Sequence, residues 1–241
     1  MILTHKPFCG PLNPVMLGNK VLDFVTETKC LGIIIDNQLS WLSHIELICR
    51  SFGQKVNQLK RLKYLTKDTV QSIYFTSIIP TVTYCNLVWG TCSPTLLHEV
   101  EHILVRAAKI IWYWLSDVSN QEAITIAGWE SINSMYKRKL LTFMYQVYKS
   151  QLPDNIIRLF SSSNCCYDLR NSIKFEVARF NLEVRRNSLR YGGALFWNSI
   201  PDNLKRAPSL NIFKKLLEKN RPLFDNINFK RWNSILIVLN F

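Results

Sequence analysis

His98-Glu99-Val100-Glu101-His102 is the sharpest chemical pattern in this sequence of 241 residues. It matches H-E-x-x-H, in which two histidines four residues apart share one helix face, bind zinc, and leave the intervening glutamate as general base. A zinc-dependent hydrolase using His98, Glu99 and His102 is one reading of it. The third ligand would have to be Glu122 or Glu130, because no glycine-and-histidine extension follows. Cys85, Cys92, His98 and His102 form a second metal pattern, but six residues separate the cysteines and five precede the first histidine, unlike zinc fingers. Nucleophilic catalysis has no G-x-S-x-G elbow to rest on. Two-metal nucleotidyl transfer needs paired carboxylates, and no Asp-Asp pair occurs. With 8 glycines and no glycine-rich loop, nothing cradles a nucleotide's phosphates, and no small-molecule substrate is evident.

Charge says more. Lys and Arg number 30 against 17 Asp and Glu, a formal charge of +13, which points to an anionic partner such as nucleic acid. Residues 1–130 hold 11 basic and 10 acidic side chains, residues 131–241 hold 19 and 7. Within the nearly neutral first part, no acid occurs between Glu46 and Asp68, whereas Arg50, Lys55, Lys60, Arg61, Lys63 and Lys67 do. Lys55, Lys60, Arg61 and Lys63 are therefore candidate phosphate contacts. Further on, Arg170, Lys174, Arg179, Arg185, Arg186 and Arg190 interleave with Phe175, Phe180 and Tyr191. That mixture pairs phosphates and stacks bases, although aromatics alternating toward a core read the same way. The strongest candidates there are Arg179, Arg185 and Arg186.

The elements that must carry these residues follow from periodicity. Met16, Val21, Leu22, Phe24 and Val25, then the apolar run Cys30 to Ile35, predict a β-hairpin. Ser40 or Ser43 is expected to cap a helix bearing Ile45, Ile48, Phe52, Val56, Leu59 and Leu62, with Ser43 and Glu46 as a capping box. A second helix is expected from Thr66–Asp68 to Pro80, where it kinks or ends. A third follows the Ser93-Pro94 start, and a fourth over about 134–151 extends the bundle. Alternation over 173–184 suggests short strands or an extended arm. Phe213, Leu216 and Leu217 mark a short basic helix, and a loose tail is expected from Arg221. The fold class is thus α+β, mostly α, in three regions: 1–40, 41–160 and 161–241. Seven cysteines at irregular positions and no signal segment argue for an intracellular chain, in nucleus or cytoplasm. The longest apolar runs fall well short of the ~18 residues a membrane span needs.

Several stretches together are more specific. Lys29 to Ile45 (KCLGIIIDNQLSWLSHI) resembles the "K-x-L-G-V-x-I-D-x-x-L-x-W-x-x-H-I" segment of jockey-type, LINE-like, non-long-terminal-repeat retrotransposon reverse transcriptases. Pro80 to Gly90 (PTVTYCNLVWG) resembles "P-x-L-x-Y-C-x-x-V-W-G", and Arg106 with Ile110 and Ile111 resembles "A-x-R-x-I". Phe196 to Pro201 (FWNSIP) and Ser209 to Lys215 (SLNIFKK) resemble the later "L-W-N-x-L-P" and "S-x-x-x-F-K-x". The resemblance implies the carboxyl-terminal part of an RNA-directed DNA polymerase, without its catalytic aspartates. Residues 1–40 would be the end of the palm, with the primer grip at Cys30, Leu31 and Gly32. Residues 41–160 would be the helical thumb and connection, and 161–241 a basic carboxyl-terminal region and tail. The partner would be an RNA or DNA template-primer. Magnesium would serve the parent polymerase, and this chain would hold no cofactor and be inactive alone. A third class of function, a structural interaction module, would rest on Trp89, Trp112, Trp114 and Trp129.

Overall fold

The computed structural model describes residues 15–62, 64–112, 117–160, 173–177 and 188–222. The chain divides into two compact units, residues 1–129 and 130–241. The boundary falls inside the stretch 41–160 that the sequence groups as one helical region.

Where one hairpin is expected, two are found. Strands β1 (Val15–Leu17) and β2 (Lys20–Leu22) pair antiparallel, as do β3 (Glu27–Cys30) and β4 (Ile33–Asp36). The second hairpin closes through a two-residue turn, Leu31-Gly32, with φ of 47° and 85°. Left-handed backbone at both positions is the primed turn whose twist matches the paired strands. Glycine adopts it freely; leucine incurs a steric penalty between Cβ and carbonyl. The first hairpin is apolar yet uncovered, with Met16, Leu17 and Val21 all more than half exposed.

Helix α1 (Leu42–Leu59) begins differently from the expected serine caps. Its entry residue Trp41 is left-handed, at φ 68°, and no side chain caps it in the usual extended geometry. The Ser40 hydroxyl still accepts from the Leu42 N–H at 3.3 Å, and Asp36 braces this entry from outside the helix. Its carboxylate accepts from the backbone N–H groups of Gln38, Ser40 and Trp41 at 3.0, 2.9 and 2.9 Å, and from the Ser40 hydroxyl at 3.2 Å. Ser43 turns away from Glu46 and donates to Glu27 on β3. The helix then buries Ile45, Ile48, Phe52, Val56 and Leu59 against Val100, Leu104, Ala107 and Ile111 of α5 (Pro94–Ile111), which starts as expected at Ser93 and Pro94.

Between them the chain makes α2 (Lys67–Ile73), a π-helical turn (Tyr74–Ile78), α3 (Ile79–Thr83) and α4 (Asn86–Trp89). Pro80 explains the π turn. It has no N–H to give the carbonyl one turn back, and the Ile79 N–H bonds instead to Tyr74, five residues earlier. Helix α6 (Asn120–Ile126) has a full capping box from Ser119 and Glu122, and Trp129 stacks on Tyr74 with ring centres 4.4 Å apart.

In the second unit α7 (Ile132–Tyr148), expected to extend the first bundle, packs with the helices Leu189–Ser199 and Leu210–Lys219. Gly193 permits the first of these approaches: a Cβ there would stand 2.7 Å from the Met144 Sδ. Tyr145 stacks on Phe213 at 4.4 Å and donates to the Ala207 carbonyl at 2.7 Å. Phe175 is buried, and Asn198 brackets its backbone, accepting from N–H at 2.9 Å and donating to C=O at 2.8 Å. Phe175 therefore faces a core and is not available to stack bases. The basic stretch's other candidates, Arg179, Arg185 and Arg186, lie outside the described residues, as do Lys63 and the tail from 223.

Candidate nucleic-acid interface

The Leu31-Gly32 turn is an exposed loop tip, with Leu31 85% exposed and Cys30 and Gly32 open to solvent. Its position is fixed from below by Tyr84, whose hydroxyl donates to the Leu31 carbonyl at 2.9 Å. The Tyr84 ring comes so close to Gly32 that a Cβ there would be 3.6 Å from Cε1. Tyr84 reaches this place because it leaves α3 in extended conformation and Cys85 turns left-handed at φ 47° before α4. The bend is locked by the Trp89 indole, which donates to the Tyr84 carbonyl at 2.9 Å. Trp89 is fully buried and meets the edge of His44 from α1 at 6.4 Å between ring centres. Burial lowers the His44 pKa, which keeps the ring neutral; its Nδ1 accepts from the Ile34 N–H at 3.4 Å. The two stretches 29–45 and 80–90 thus lock together through Leu31 with Tyr84 and His44 with Trp89.

Lys55 belongs to the same assembly. Its ammonium donates to Thr81 Oγ1 on α3 at 2.6 Å, one helical turn before Tyr84. The turn and the cation are thus each bonded to the α3 segment, the turn at Tyr84 just past the helix and the ammonium at Thr81 within it. An ammonium has three donors, and one bond to Thr81 leaves two for phosphate oxygens. Lys60 and Arg61, both exposed, lie in the 3₁₀ turn that continues α1. Beside them a cleft of about 260 Å³ has Lys55, Gln58 and Ser77 among apolar Leu59, Leu62, Ile73 and Ile78. Thr81 and Tyr84 were not singled out by sequence. Tyr84 had a signal, a fixed position of the P-x-L-x-Y-C-x-x-V-W-G pattern; Thr81 falls on a variable position of the same stretch.

The metal patterns fare otherwise. His98 and His102 do meet on one face of α5, but Glu122 is committed to Ser119 and Glu130 to Arg138 and Ser134. Among the described residues no group of three or more His, Cys, Asp or Glu side chains is placed to hold a metal ion. A three-ligand hydrolytic zinc centre is not assembled there.

Over 112 residues, 45% of this chain, the sequence is 24% identical to a probable RNA-directed DNA polymerase from transposon BS of Drosophila melanogaster. The match spans 12% of that protein's length. No protein-family model and no solved structure matches the chain. No helix among the described residues is long and apolar enough to cross a membrane.

Proposed function

We propose that this chain is the template-primer-gripping part of an RNA-directed DNA polymerase of a non-long-terminal-repeat retrotransposon, the part that follows its catalytic aspartates. The observation that supports it is the joint hold of α3 on the Leu31-Gly32 turn and on Lys55. A backbone turn and an ammonium anchored on one short segment suit a sugar-phosphate chain, which they would touch without reading bases. Lys60 and Arg61 extend the cationic track along α1, and Lys63, Arg179, Arg185 and Arg186 are further proposed phosphate partners. The distant likeness to a transposon polymerase is consistent with this reading. The role is binding: with no Asp-Asp pair in the sequence, magnesium chemistry is left to carboxylates elsewhere in a polymerase. The apolar, uncovered β1–β2 hairpin is the surface this reading gives to the remainder of the polymerase body. Nucleus or cytoplasm is the compartment it implies.

The test is binding of the purified chain to a labelled RNA–DNA primer-template, followed by anisotropy over a salt series. Affinity should fall steeply and linearly on logarithmic axes as counterions compete. No binding at low salt, or affinity indifferent to salt, rejects the proposal.

A further inference from the structure

His98 and His102 face each other on α5 with their Nε2 atoms 3.1 Å apart and ring centres 4.4 Å apart, and both side chains are exposed. Two nitrogens each about 2.1 Å from one ion stand roughly 3.0–3.4 Å apart for angles between a right angle and the tetrahedral value. The observed separation falls inside that window without any rotamer change. We propose that His98 and His102 form a two-point site for a divalent first-row transition ion, with Nε2 of each ring as ligand and solvent filling the remaining positions. The inference is independent of the proposed grip on nucleic acid.

The chemistry selects the ion. Imidazole nitrogen suits Zn²⁺, Ni²⁺ and Cu²⁺, whereas Mg²⁺ wants oxygen ligands in an octahedral shell. The metal-free pairing needs one Nε2 to carry a proton and the other to accept it. To share an ion, both Nε2 atoms must present a lone pair, so each ring's N–H must then sit on Nδ1. Glu99, which the H-E-x-x-H pattern would use as base, lies close enough to Cys49 of α1 for its charge to help raise that thiol's pKa. The site is a chelate that clips one turn of α5. An ion held only by folded α5 stabilises the fold by mass action.

The experiment uses the full chain, expressed without a histidine tag, freed of metal with chelator, and with its exposed thiols blocked by N-ethylmaleimide so that they do not compete. Unfolding is followed at rising NiCl₂, with MgCl₂ as control. The expected result is a midpoint that climbs with nickel concentration, does not move with magnesium, and no longer responds in His98→Ala or His102→Ala. Both positions are exposed, so neither substitution removes core packing. A midpoint unmoved up to about 1 mM nickel overturns the site, because an ion at such a concentration would register for any dissociation constant well below it. A shift that persists in both variants also overturns it, since the metal then sits elsewhere. As a second readout, Cu²⁺ should broaden the ring resonances of His98 and His102 together; broadening of neither, or of one alone, counts against a shared ion.

Discussion

The Tyr84 hydroxyl donates to the Leu31 carbonyl across 53 positions of sequence, and this bond ties an exposed loop tip to the exit of α3. One turn earlier on α3, Thr81 takes the Lys55 ammonium. One short segment thus anchors both a backbone turn and a cation that come from different elements.

The turn's conformation makes its substitutions separable. Gly32→Ala should cost about 1 kcal/mol, because φ 85° places a Cβ against the following carbonyl. Leu31→Asn should stabilise by a few tenths to about 1 kcal/mol, since asparagine tolerates the left-handed position that leucine endures. Urea unfolding measures both. If the exposed Leu31 touches primer-template, Leu31→Asn lowers affinity while raising stability.

Asp36→Asn should destabilise by about 1–3 kcal/mol at neutral pH, since an amide cannot accept from three backbone N–H groups and a hydroxyl as a carboxylate does. Burial raises the Asp36 pKa, but hydrogen bonds from the Ser40, Trp41 and Gln38 backbone and the Ser40 hydroxyl outweigh it and hold the carboxyl below its ordinary 3.8. The unfolded chain therefore takes up this proton more readily than the folded one. The stability from Asp36 is fully present above 3.8 and fades as pH falls through the lower native value. In Asp36→Asn that acid limb should flatten, as read from unfolding midpoints between about pH 2 and 6.

Cys49 should be the sluggish thiol of α1. Burial, then the charges of Glu99 and Glu46, push its pKa up to about 11, and thiolate is the reactive form. At about pH 8 iodoacetamide should modify exposed Cys30 well before Cys49, as peptide mass mapping would show. Equal rates would mean that the α1–α5 packing opens.

Lys60→Gln with Arg61→Gln should flatten the salt slope of primer-template binding by about 0.9 for each phosphate no longer neutralised. Deleting 161–241 is not a clean test of the distal basic residues, because it removes the helices 189–199 and 210–219 that pack on α7. Arg179→Gln, Arg185→Gln and Arg186→Gln together are the proper comparison. Their effect on slope should exceed that of the pair on α1 if the distal region dominates.

Adjacent glycines should respond oppositely to alanine. Gly192 has open space where a Cβ would go, so Gly192→Ala should stabilise its helix by about 0.5–1 kcal/mol. Gly193→Ala drives a methyl to 2.7 Å from Met144 Sδ and should destabilise by about 1–3 kcal/mol, as overpacking does. Thermal unfolding of the two variants decides.

Much of the helical frame was legible because its signals are local. Thr66 and Ser93 cap helices, and the Ile45-to-Leu59 and Val100-to-Ile111 stripes follow helical spacing, whereas the helix capped by Ser188 is not among the expected ones. Pro80 announced a break, though not the π turn. The start of α1 is legible only in part: Ser40 accepts from the Leu42 N–H, but the entry residue Trp41 is left-handed and Asp36 holds its N–H from five residues away. Phe175 was ambiguous: alternation records which side a residue faces, not whether that side meets a core or a base.

The sequence by itself determined the class of fold, the helix starts at Thr66 and Ser93, the basic stretch from Arg50 to Lys67, and the spacing that puts His98 and His102 on one face. These depend on neighbours within about one or two helical turns, where backbone geometry leaves few choices. Only the tertiary structure decided that Tyr84 holds Leu31, that Thr81 holds Lys55, and that His44 meets Trp89. Such pairings join residues whose approach is set by how whole helices pack, and packing sums many weak attractions that no short stretch of sequence encodes.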